Sequence, residues 1–434
     1  MSETTKPEAT FRVLHTADWH LGKMLCDQPR DEEHRRFLDF LFATLRDREV
    51  DALVISGDVF DSANPPQSAA TLYFDFLCRL YRETPCAAVI VAGNHDSPGH
   101  LEAPRQVLRA LRGHVVGAWP ADPADAVILL PSAGAPALAI AAVPFLRDRD
   151  LRTGQAGQTP EEIAQALRTG FQQRYAEANH AIATACRPGV AAMATGHLMA
   201  DGGMVSDSER EIHVGGLGAV PATGFPPGFS YIALGHLHRP QEIPGHSHIR
   251  YAGSPIPLGF GESEDRKEVR LLDFAGGTLA CQEPLPVPMF RRLVRIRSPY
   301  AALAETVAGV DWTGGDLKTW AEVEIVDPPP GEGVYAAVVD ALKDAPCQVI
   351  KVAVARSAGL AAGPALAHGQ EGGEAEALLG DPVRVFDHRM EQEPEDALPE
   401  TEREALRVAF LELRELLESR NREAGAAAAR GGPA

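Results

Sequence analysis

The chain has 434 residues, a formal net charge of −19 and 45% hydrophobic residues, so it is long enough for two or three domains with a substantial core. No apolar stretch approaches the roughly 20 residues that a membrane-spanning helix requires. The polar N-terminus lacks the apolar region of a secretory signal, and the six cysteines have neither the spacing of a disulfide framework nor that of a zinc site. These features exclude a membrane protein and a disulfide-rich secreted protein, and they predict a cytoplasmic one.

Five short apolar runs along the chain end in Asp, Asn or His, usually just after a glycine. They occupy residues 11–20 (ending in Asp18 and His20), 53–61 (Asp58 and Asp61), 88–96 (Asn94 and His95), 190–197 (His197) and 231–238 (His236 and His238). Such runs are typical of buried strands, and ligands collect at the carboxyl ends of strands in α/β sheets. In an extended chain, residues i and i+2 point to the same side, so Asp18 and His20 are expected to reach one ion.

The residue types at these strand ends indicate metal chemistry. Carboxylates, imidazoles and an amide oxygen favour a borderline-hard ion such as Mn²⁺, with Mg²⁺, Zn²⁺ or Fe²⁺ as alternatives. Seven candidate ligands are too many for one ion and suit two, provided that one carboxylate bridges. Two ions about 3.5–4 Å apart stabilise both the attacking and the leaving oxygen of a phosphoryl centre.

The five motifs resemble, in order and context, those of the calcineurin-like metallophosphoesterases. They read Asp18-x-His20, Gly57-Asp58-x-x-Asp61, Gly93-Asn94-His95-Asp96, Gly196-His197 and Gly235-His236-x-His238. Longer stretches between about residues 11 and 274, such as LHTADWHLGK and GNHDSPGHLEAPR, are similar to the DNA nucleases of this superfamily that work with an SMC-like ATPase.

The resemblance implies a role for each site residue. One metal ion would be held by Asp18, His20, Asp58 and His238, and the other by Asp58, Asn94, His197 and His236, with Asp58 as the bridge. His95 would face the scissile phosphate, where it stabilises charge or protonates the leaving oxygen, and Asp61 would orient His95.

The apolar runs alternate with segments of helical spacing, which predicts an α/β fold of two sheets packed face to face. Helices are expected near residues 32–47, 65–82, 101–112 and 161–185. Residues 291–356 have a β-α-β-α-β pattern without chemistry of their own, and the resemblance implies a small α/β capping domain there. The predicted division is therefore a metallophosphoesterase nuclease domain (1–285), the capping domain (286–357), a flexible linker (358–380) and a C-terminal partner-binding helical region (381–434).

Two helices suggest binding partners. The second predicted helix is apolar nearly all round, which favours a homodimer face. Near residues 400–422, Thr401 and Glu404 have the spacing of a capping box that begins a helix. One face of this C-terminal helix carries Leu406, Phe410, Leu413 and Leu417. It either folds back on its own domain or docks in a partner's groove. The resemblance implies docking on the coiled coil of the SMC-like ATPase, in a heterotetramer.

The leading functional hypothesis is a Mn²⁺-dependent double-strand DNA exonuclease and single-strand or hairpin endonuclease, acting with an ATPase in DNA repair, recombination and replication. The acidic net charge is unusual for a DNA enzyme, but the metal ions would make the cleft locally positive. Candidates for its basic rim, unless they are ordinary solvated residues, are Lys23, Arg147, Arg149, Arg239, Arg266 and Lys267. The chain lacks a GxxxxGK[ST] phosphate loop, so ATP dependence must come from a partner. The alternatives are a phosphoesterase acting on nucleotides or phosphoproteins, and an inactive scaffold, which the intact ligand set disfavours.

Overall fold

The structure is a computed structural model that describes residues 10–154, 157–205, 219–329 and 333–355, together with Leu406, Arg407 and Phe410. The chain separates into two compact units, Met1–Ser357 and Ala358–Ala434. Among the described helices, none combines the length and the apolar character needed to cross a bilayer.

The first unit contains all the described strands and the helices labelled here. The strands are β1 (Phe11–Thr16), β2 (Met24–Leu25), β3 (Gln28–Pro29), β4 (Ala52–Ser56), β5 (Ala87–Val91), β6 (Gly113–Val116), β7 (Val127–Leu130), β8 (Leu138–Ala141), β9 (Ala191–His197), β10 (Tyr231–Gly235), β11 (Gln241–Ile243), β12 (His246–Tyr251), β13 (Glu268–Ala275), β14 (Thr278–Pro286), β15 (Arg291–Pro299), β16 (Leu317–Val326) and β17 (Cys347–Ala355). The helices are α1 (Asp31–Asp47), α2 (Gln67–Glu83), α3 (Pro98–Glu102), α4 (Arg105–Ala110), α5 (Asp148–Leu151), α6 (Pro160–Ala185), α7 (Leu303–Ala308) and α8 (Val334–Leu342).

Two six-stranded sheets form the core of this unit. The first has the order β14-β13-β1-β4-β5-β6, and the second has the order β11-β12-β10-β9-β8-β7. β1, β4, β5 and β6 run parallel to one another, and so do β8, β9, β10 and β12. Antiparallel strands complete the remaining edges of both sheets.

The two sheets pack face to face, as the sequence predicts. Small and β-branched residues such as Val54 and Val89 from the first sheet share an apolar cluster with Ile140 and Met193 from the second. On its outer face the first sheet packs against α1 and α2, and the second packs against α6. The result is a four-layered α/β arrangement, in which central strands such as β4, β5 and β10 are buried along their whole length.

The helices follow the predictions with two local differences. Pro66 lies just before α2 in an extended conformation (ψ 155°) rather than in its first turn. The helix expected near 101–112 is broken into α3 and α4 at Pro104, because proline has no N–H to donate to the hydrogen bonds of a continuous helix.

The apolar surface of α2 is mostly used within the chain. Tyr73, Phe76, Leu77 and Leu80 are buried, and Leu72 and Phe74 are half-buried against the same core. Phe76 meets the ring of Trp19 edge-on at 5.6 Å, and α2 packs against α1. The apolar residues around α2 therefore pack largely against other parts of the same chain.

Residues 291–355 form the expected β-α-β-α-β unit. β15, β16 and β17 make a parallel three-stranded sheet in that order, with α7 and α8 packed on one face. The other face places Leu293 and Trp320 against Phe260 of the core.

Of the predicted C-terminal helix, Leu406, Arg407 and Phe410 are described and helical, and Leu406 is exposed. Leu413, Leu417 and the predicted linker 358–380 lie outside the described residues.

Candidate metal centre

The carboxyl ends of five strands meet at one edge of the two stacked sheets. β1, β4 and β5 are neighbours in the first sheet, and β9 and β10 are neighbours in the second. Ser56, at the end of β4, joins the two sheets: its hydroxyl donates to the carbonyl of Ala233 at 3.0 Å, and its own carbonyl accepts from Nδ1 of His197 at 2.9 Å. All seven candidate ligands lie around this junction.

Asp18 and His20 reach the site through turns rather than through an extended strand. Both have a left-handed backbone, with φ of 52° and 47°, as do Asp58 (φ 49°) and His236 (φ 103°). Main-chain bonds hold the first turn in place, because Asp18 N donates to Gly57 O and His20 N donates to Asp58 O, each at 3.0 Å. The two side chains lie together, with donor atoms within 4.8 Å of each other, but the extended geometry assumed for them is wrong. Non-glycine residues with positive φ cost energy and concentrate at functional sites.

The first ligand group consists of Asp18, His20 and His238, all buried. One donor atom from each lies within 4.8 Å of the others. The rings of His20 and His238 meet edge-on, with centroids 5.1 Å apart.

Asp58 lies between the two groups of ligands. Its Oδ2 is 3.5 Å from Nε2 of His20 and 3.2 Å from Nε2 of His197, while its Oδ1 accepts from the backbone N–H of His95 at 2.9 Å. A Cβ on Gly93 would overlap the Asp58 carboxylate, and a Cβ on Gly57 would overlap the ring of His197. The two glycines are therefore required for the close approach of the strand ends.

The second ligand group is built around Asn94. Its Oδ1 lies 2.9 Å from Nε2 of His197 and 3.2 Å from Nδ1 of His236. The backbone N–H of His236 donates to Oδ1 of Asp18 at 2.9 Å, which ties this group to the first.

His95 and Asp61 interact differently from the expectation. Nδ1 of His95 donates to the main-chain carbonyl of Asp61 at 2.8 Å. The Asp61 carboxylate instead lies 3.2 Å from Nδ1 of His20 and 3.0 Å from Nζ of Lys23. The carbonyl fixes the tautomer of His95, so its Nε2 is the nitrogen left to meet a substrate, and His95 is only half-buried.

Asp96 has a structural role that the sequence pattern does not indicate. Its buried carboxylate accepts from the backbone N–H groups of Gly93 (2.9 Å), Val59 (3.1 Å) and Phe60 (3.0 Å). It therefore clamps the loops that carry Asn94 and Asp58. Burial, followed by the negative charge of Asp58, raises the pKa of Asp96 to about 6.

In this site, buried carboxylates lie beside imidazole rings, and each type of group shifts the pKa of the other. Burial opposes the ionisation of Asp58, but His197 and His20 outweigh it and hold the pKa of Asp58 below its usual value. Burial acts to lower the pKa of His197, but the negative charge of Asp58 more than offsets this effect and the pKa rises to about 9. Burial and the neighbouring His197 lower the pKa of His236 to about 3.

The donor set fits divalent metal ions. Nε2 of His20 is buried and has no hydrogen-bond partner in the described part of the chain, although it faces the other ligands. A buried polar atom in this situation is costly unless a ligand binds it. Oxygen and imidazole donors without thiolates suit Mn²⁺ and similar ions, which would also offset the buried carboxylates.

One neighbouring residue, Glu262, was missed from the sequence, and another, Lys267, was placed wrongly. Glu262 is fully buried, and its Oε1 lies 3.0 Å from Nδ1 of His238. Lys267 was proposed for the exposed rim, but this is wrong: it is buried and pairs with Glu262 at 2.6 Å, because that buried carboxylate requires a cation. Arg266 and Arg149 are exposed, as a rim requires, whereas Arg239 is paired with Asp265 at 2.9 Å.

Comparisons with known proteins identify the family. The family described as "Calcineurin-like phosphoesterase" matches residues 11–240. The chain is 39% identical to the D subunit of the nuclease SbcCD from Escherichia coli (strain K12) over 320 residues, which cover 73% of this chain and 78% of the relative. Proteins of the same name from Rhodobacter capsulatus and Bacillus subtilis are 40% and 34% identical, over 69% and 73% of this chain and 75% and 79% of the relatives.

Proposed function

The chain belongs to the SbcD family of calcineurin-like phosphoesterases and is a metal-dependent phosphodiesterase of the nuclease type, and we propose that it cleaves DNA with two Mn²⁺ ions. The proposed activities are double-strand exonuclease and single-strand or hairpin endonuclease. The observation that carries the proposal is that seven candidate ligands from five strand ends meet at one junction, where the carboxylate of Asp58 lies 3.5 Å from His20 and 3.2 Å from His197. Such a set can hold two ions that share one ligand, which is the arrangement used for phosphodiester hydrolysis.

The chain's residues would divide this work between holding ions and contacting DNA. Asp18, His20 and His238 would hold one ion, Asn94, His197 and His236 the other, and Asp58 both. The ions, when bound, supply Lewis-acid activation of water and offset charge on the phosphate.

His95 would act on the substrate rather than on the ions. Its Nδ1 is engaged by the carbonyl of Asp61, so Nε2 is oriented to stabilise the phosphate or to protonate the leaving oxygen. Its partial exposure, among ligands that are mostly buried, supports contact with a substrate.

The proposed partner is an SbcC-type SMC-like ATPase. Support comes from the relatives, whose names place them in an SbcCD complex, and from the absence of a phosphate loop in this sequence. The C-terminal helix with Leu406, Phe410, Leu413 and Leu417 would bind this ATPase, and residues 286–357 would form a capping domain over the DNA. We also propose a cytoplasmic role in DNA repair, recombination and replication, where the DNA substrate is found.

A homodimer within a heterotetramer is part of the same proposal. The family relationship supports the homodimer. The apolar face of α2 does not, since most of it is buried within the chain. Light scattering that gives only a 46.5 kDa particle at micromolar concentration would contradict it.

The test of function is a hydrolysis assay of the purified full chain on four substrates: hairpin DNA, duplex DNA, mononucleotides and a phosphopeptide. Each substrate is assayed with Mn²⁺ or Mg²⁺ and with or without the ATPase. We expect Mn²⁺-dependent DNA cleavage that Asp58→Asn abolishes, because Asp58 connects both ligand groups. Efficient hydrolysis of mononucleotides or the phosphopeptide, without DNA cleavage, would instead support the alternative phosphoesterase.

A further inference from the structure

Glu262 lies outside the five strand-end motifs but directly behind one of the proposed ligands. It ends a short 3-10 turn, Phe260–Glu262, and its side chain is fully buried. Its Oε1 lies 3.0 Å from Nδ1 of His238. Its Oε2 accepts from Nζ of Lys267 at 2.6 Å and from the backbone N–H of Leu258 at 3.1 Å.

Lys267 holds the same histidine from its main-chain side. Its Nζ donates to the carbonyl oxygen of His238 at 3.0 Å and to Oγ of Ser254 at 2.9 Å, and its side chain is only 5% exposed. The hydroxyl of Ser254 also lies 3.2 Å from Oε2 of Glu262. Together, Glu262 and Lys267 fix both the ring and the backbone of His238.

This arrangement decides which nitrogen of His238 faces the site. An ionised carboxylate only accepts hydrogen bonds, so Nδ1 of His238 carries the proton and Nε2 keeps its lone pair. A carboxylate behind a metal-binding histidine fixes the ring and increases its basicity, and loss of such a partner typically weakens metal binding about 10–100-fold. A buried cation beside the carboxylate keeps it ionised without solvent.

We propose that Glu262 and Lys267 form a positioning pair that sets the tautomer and orientation of His238 for the ion shared with Asp18 and His20. The inference rests on the proposed function in taking His238 as a ligand. It adds that affinity for this one ion, and not for the ion near Asn94, depends on the pair. No residue of the pair contacts the substrate, so neither is a catalytic residue.

The test is a titration of the full chain with Mn²⁺. The electron paramagnetic resonance signal of the free ion monitors the titration and gives the number of bound ions and their affinities. Removing one charge would leave the other buried without a partner, so both are replaced: Glu262→Leu with Lys267→Met. We expect one of two sites to weaken about 10–100-fold while the other keeps its affinity. Glu262→Gln with Lys267→Met restores an acceptor for Nδ1 and should recover much of the loss.

A matched control is the largely buried pair Arg12–Asp273, which joins β1 and β13 at 2.7 Å. Arg12→Met with Asp273→Leu removes a pair of the same kind and should leave both Mn²⁺ affinities unchanged. Unchanged affinity at both sites in the Glu262→Leu, Lys267→Met chain overturns the positioning role alone. A wild-type chain that binds no pair of Mn²⁺ ions overturns the proposed function as well.

Discussion

Oδ2 of Asp58 lies 3.2 Å from Nε2 of His197, although the two residues follow strands of different sheets. Asp58 comes after β4 in the first sheet, and His197 ends β9 in the second. The site therefore exists only when the two sheets are stacked in one register. Because the inter-sheet core fixes that register, the packing of the fold sets the spacing of the ligands.

His95→Gln should separate the chemical step from metal binding. The ring of His95 is held by a main-chain carbonyl and is not needed for the ligand set, so the chain should keep both Mn²⁺ ions. The rate of DNA cleavage at saturating Mn²⁺ should fall about 100-fold or more, as expected for loss of a general acid. Metal content by mass spectrometry, measured beside the rate, checks this. A variant that loses both ions would show that His95 is itself a ligand.

Asp61→Asn should act mainly through His20. The Asp61 carboxylate faces Nδ1 of His20, whereas His95 is held by the Asp61 carbonyl, which the substitution preserves. We expect weaker Mn²⁺ binding, by about tenfold, with a cleavage rate near wild type once Mn²⁺ is saturating.

The control for this variant is Lys23→Met, which removes the other partner of the Asp61 carboxylate and should leave Mn²⁺ affinity nearly unchanged. A rate loss at saturating Mn²⁺ as large as that of His95→Gln, with normal metal affinity, would instead return Asp61 to the role of orienting His95.

Glu33→Ala should destabilise the attachment of the three-stranded sheet. Glu33 is 1% exposed and accepts from Arg30 at 2.6 Å and from Arg291 at 2.9 Å, and the Arg291 guanidinium lies 3.9 Å from the ring centre of Trp320. Its removal leaves the buried guanidinium of Arg30 and the partly buried guanidinium of Arg291 without their carboxylate, so the free energy of unfolding in urea should fall by about 3–5 kcal/mol.

The neighbouring Glu32 provides the matched control. It is 44% exposed and pairs with Arg35 and Arg36 on the helix surface, so Glu32→Ala should cost about 0.5 kcal/mol or less. Equal effects of the two substitutions would contradict the importance of burial at Glu33.

Deletion of residues 399–434 should separate cleavage from partner binding. The predicted helix carries no metal ligand, so Mn²⁺-dependent cleavage of short DNA should persist. Co-purification with the ATPase and ATP-stimulated cleavage should be lost, because the apolar stripe would be absent. Undiminished binding of the ATPase by the shortened chain would contradict this role.

The strand ends could be predicted because their signal is local. An apolar run, a glycine and a polar residue occur together in the sequence, and stacked α/β sheets bring such ends to one edge. The turn geometry could not be read in this way, since nothing in Asp18-x-His20 indicates that both residues have a positive φ. Pro104 did give a local signal, and the break that it causes between α3 and α4 was missed.

Glu262 and Lys267 could not be found from spacing. Neither follows a strand end, and their contact with His238 depends on how the chain folds back after β12. Lys267 lies in a charged stretch that is typical of surface, yet it is buried because Glu262 requires a cation there. Interactions that support ligands from distant segments are set by tertiary structure and leave little pattern in the sequence.

The most direct test of the two-ion site is a crystal of the full chain grown with Mn²⁺ and measured for anomalous scattering. We expect two peaks about 3.5–4 Å apart, both in contact with Asp58. One should also contact Asp18, His20 and His238, and the other Asn94, His197 and His236. A single peak, or peaks away from Asp58, would contradict a two-ion phosphodiesterase centre at these strand ends.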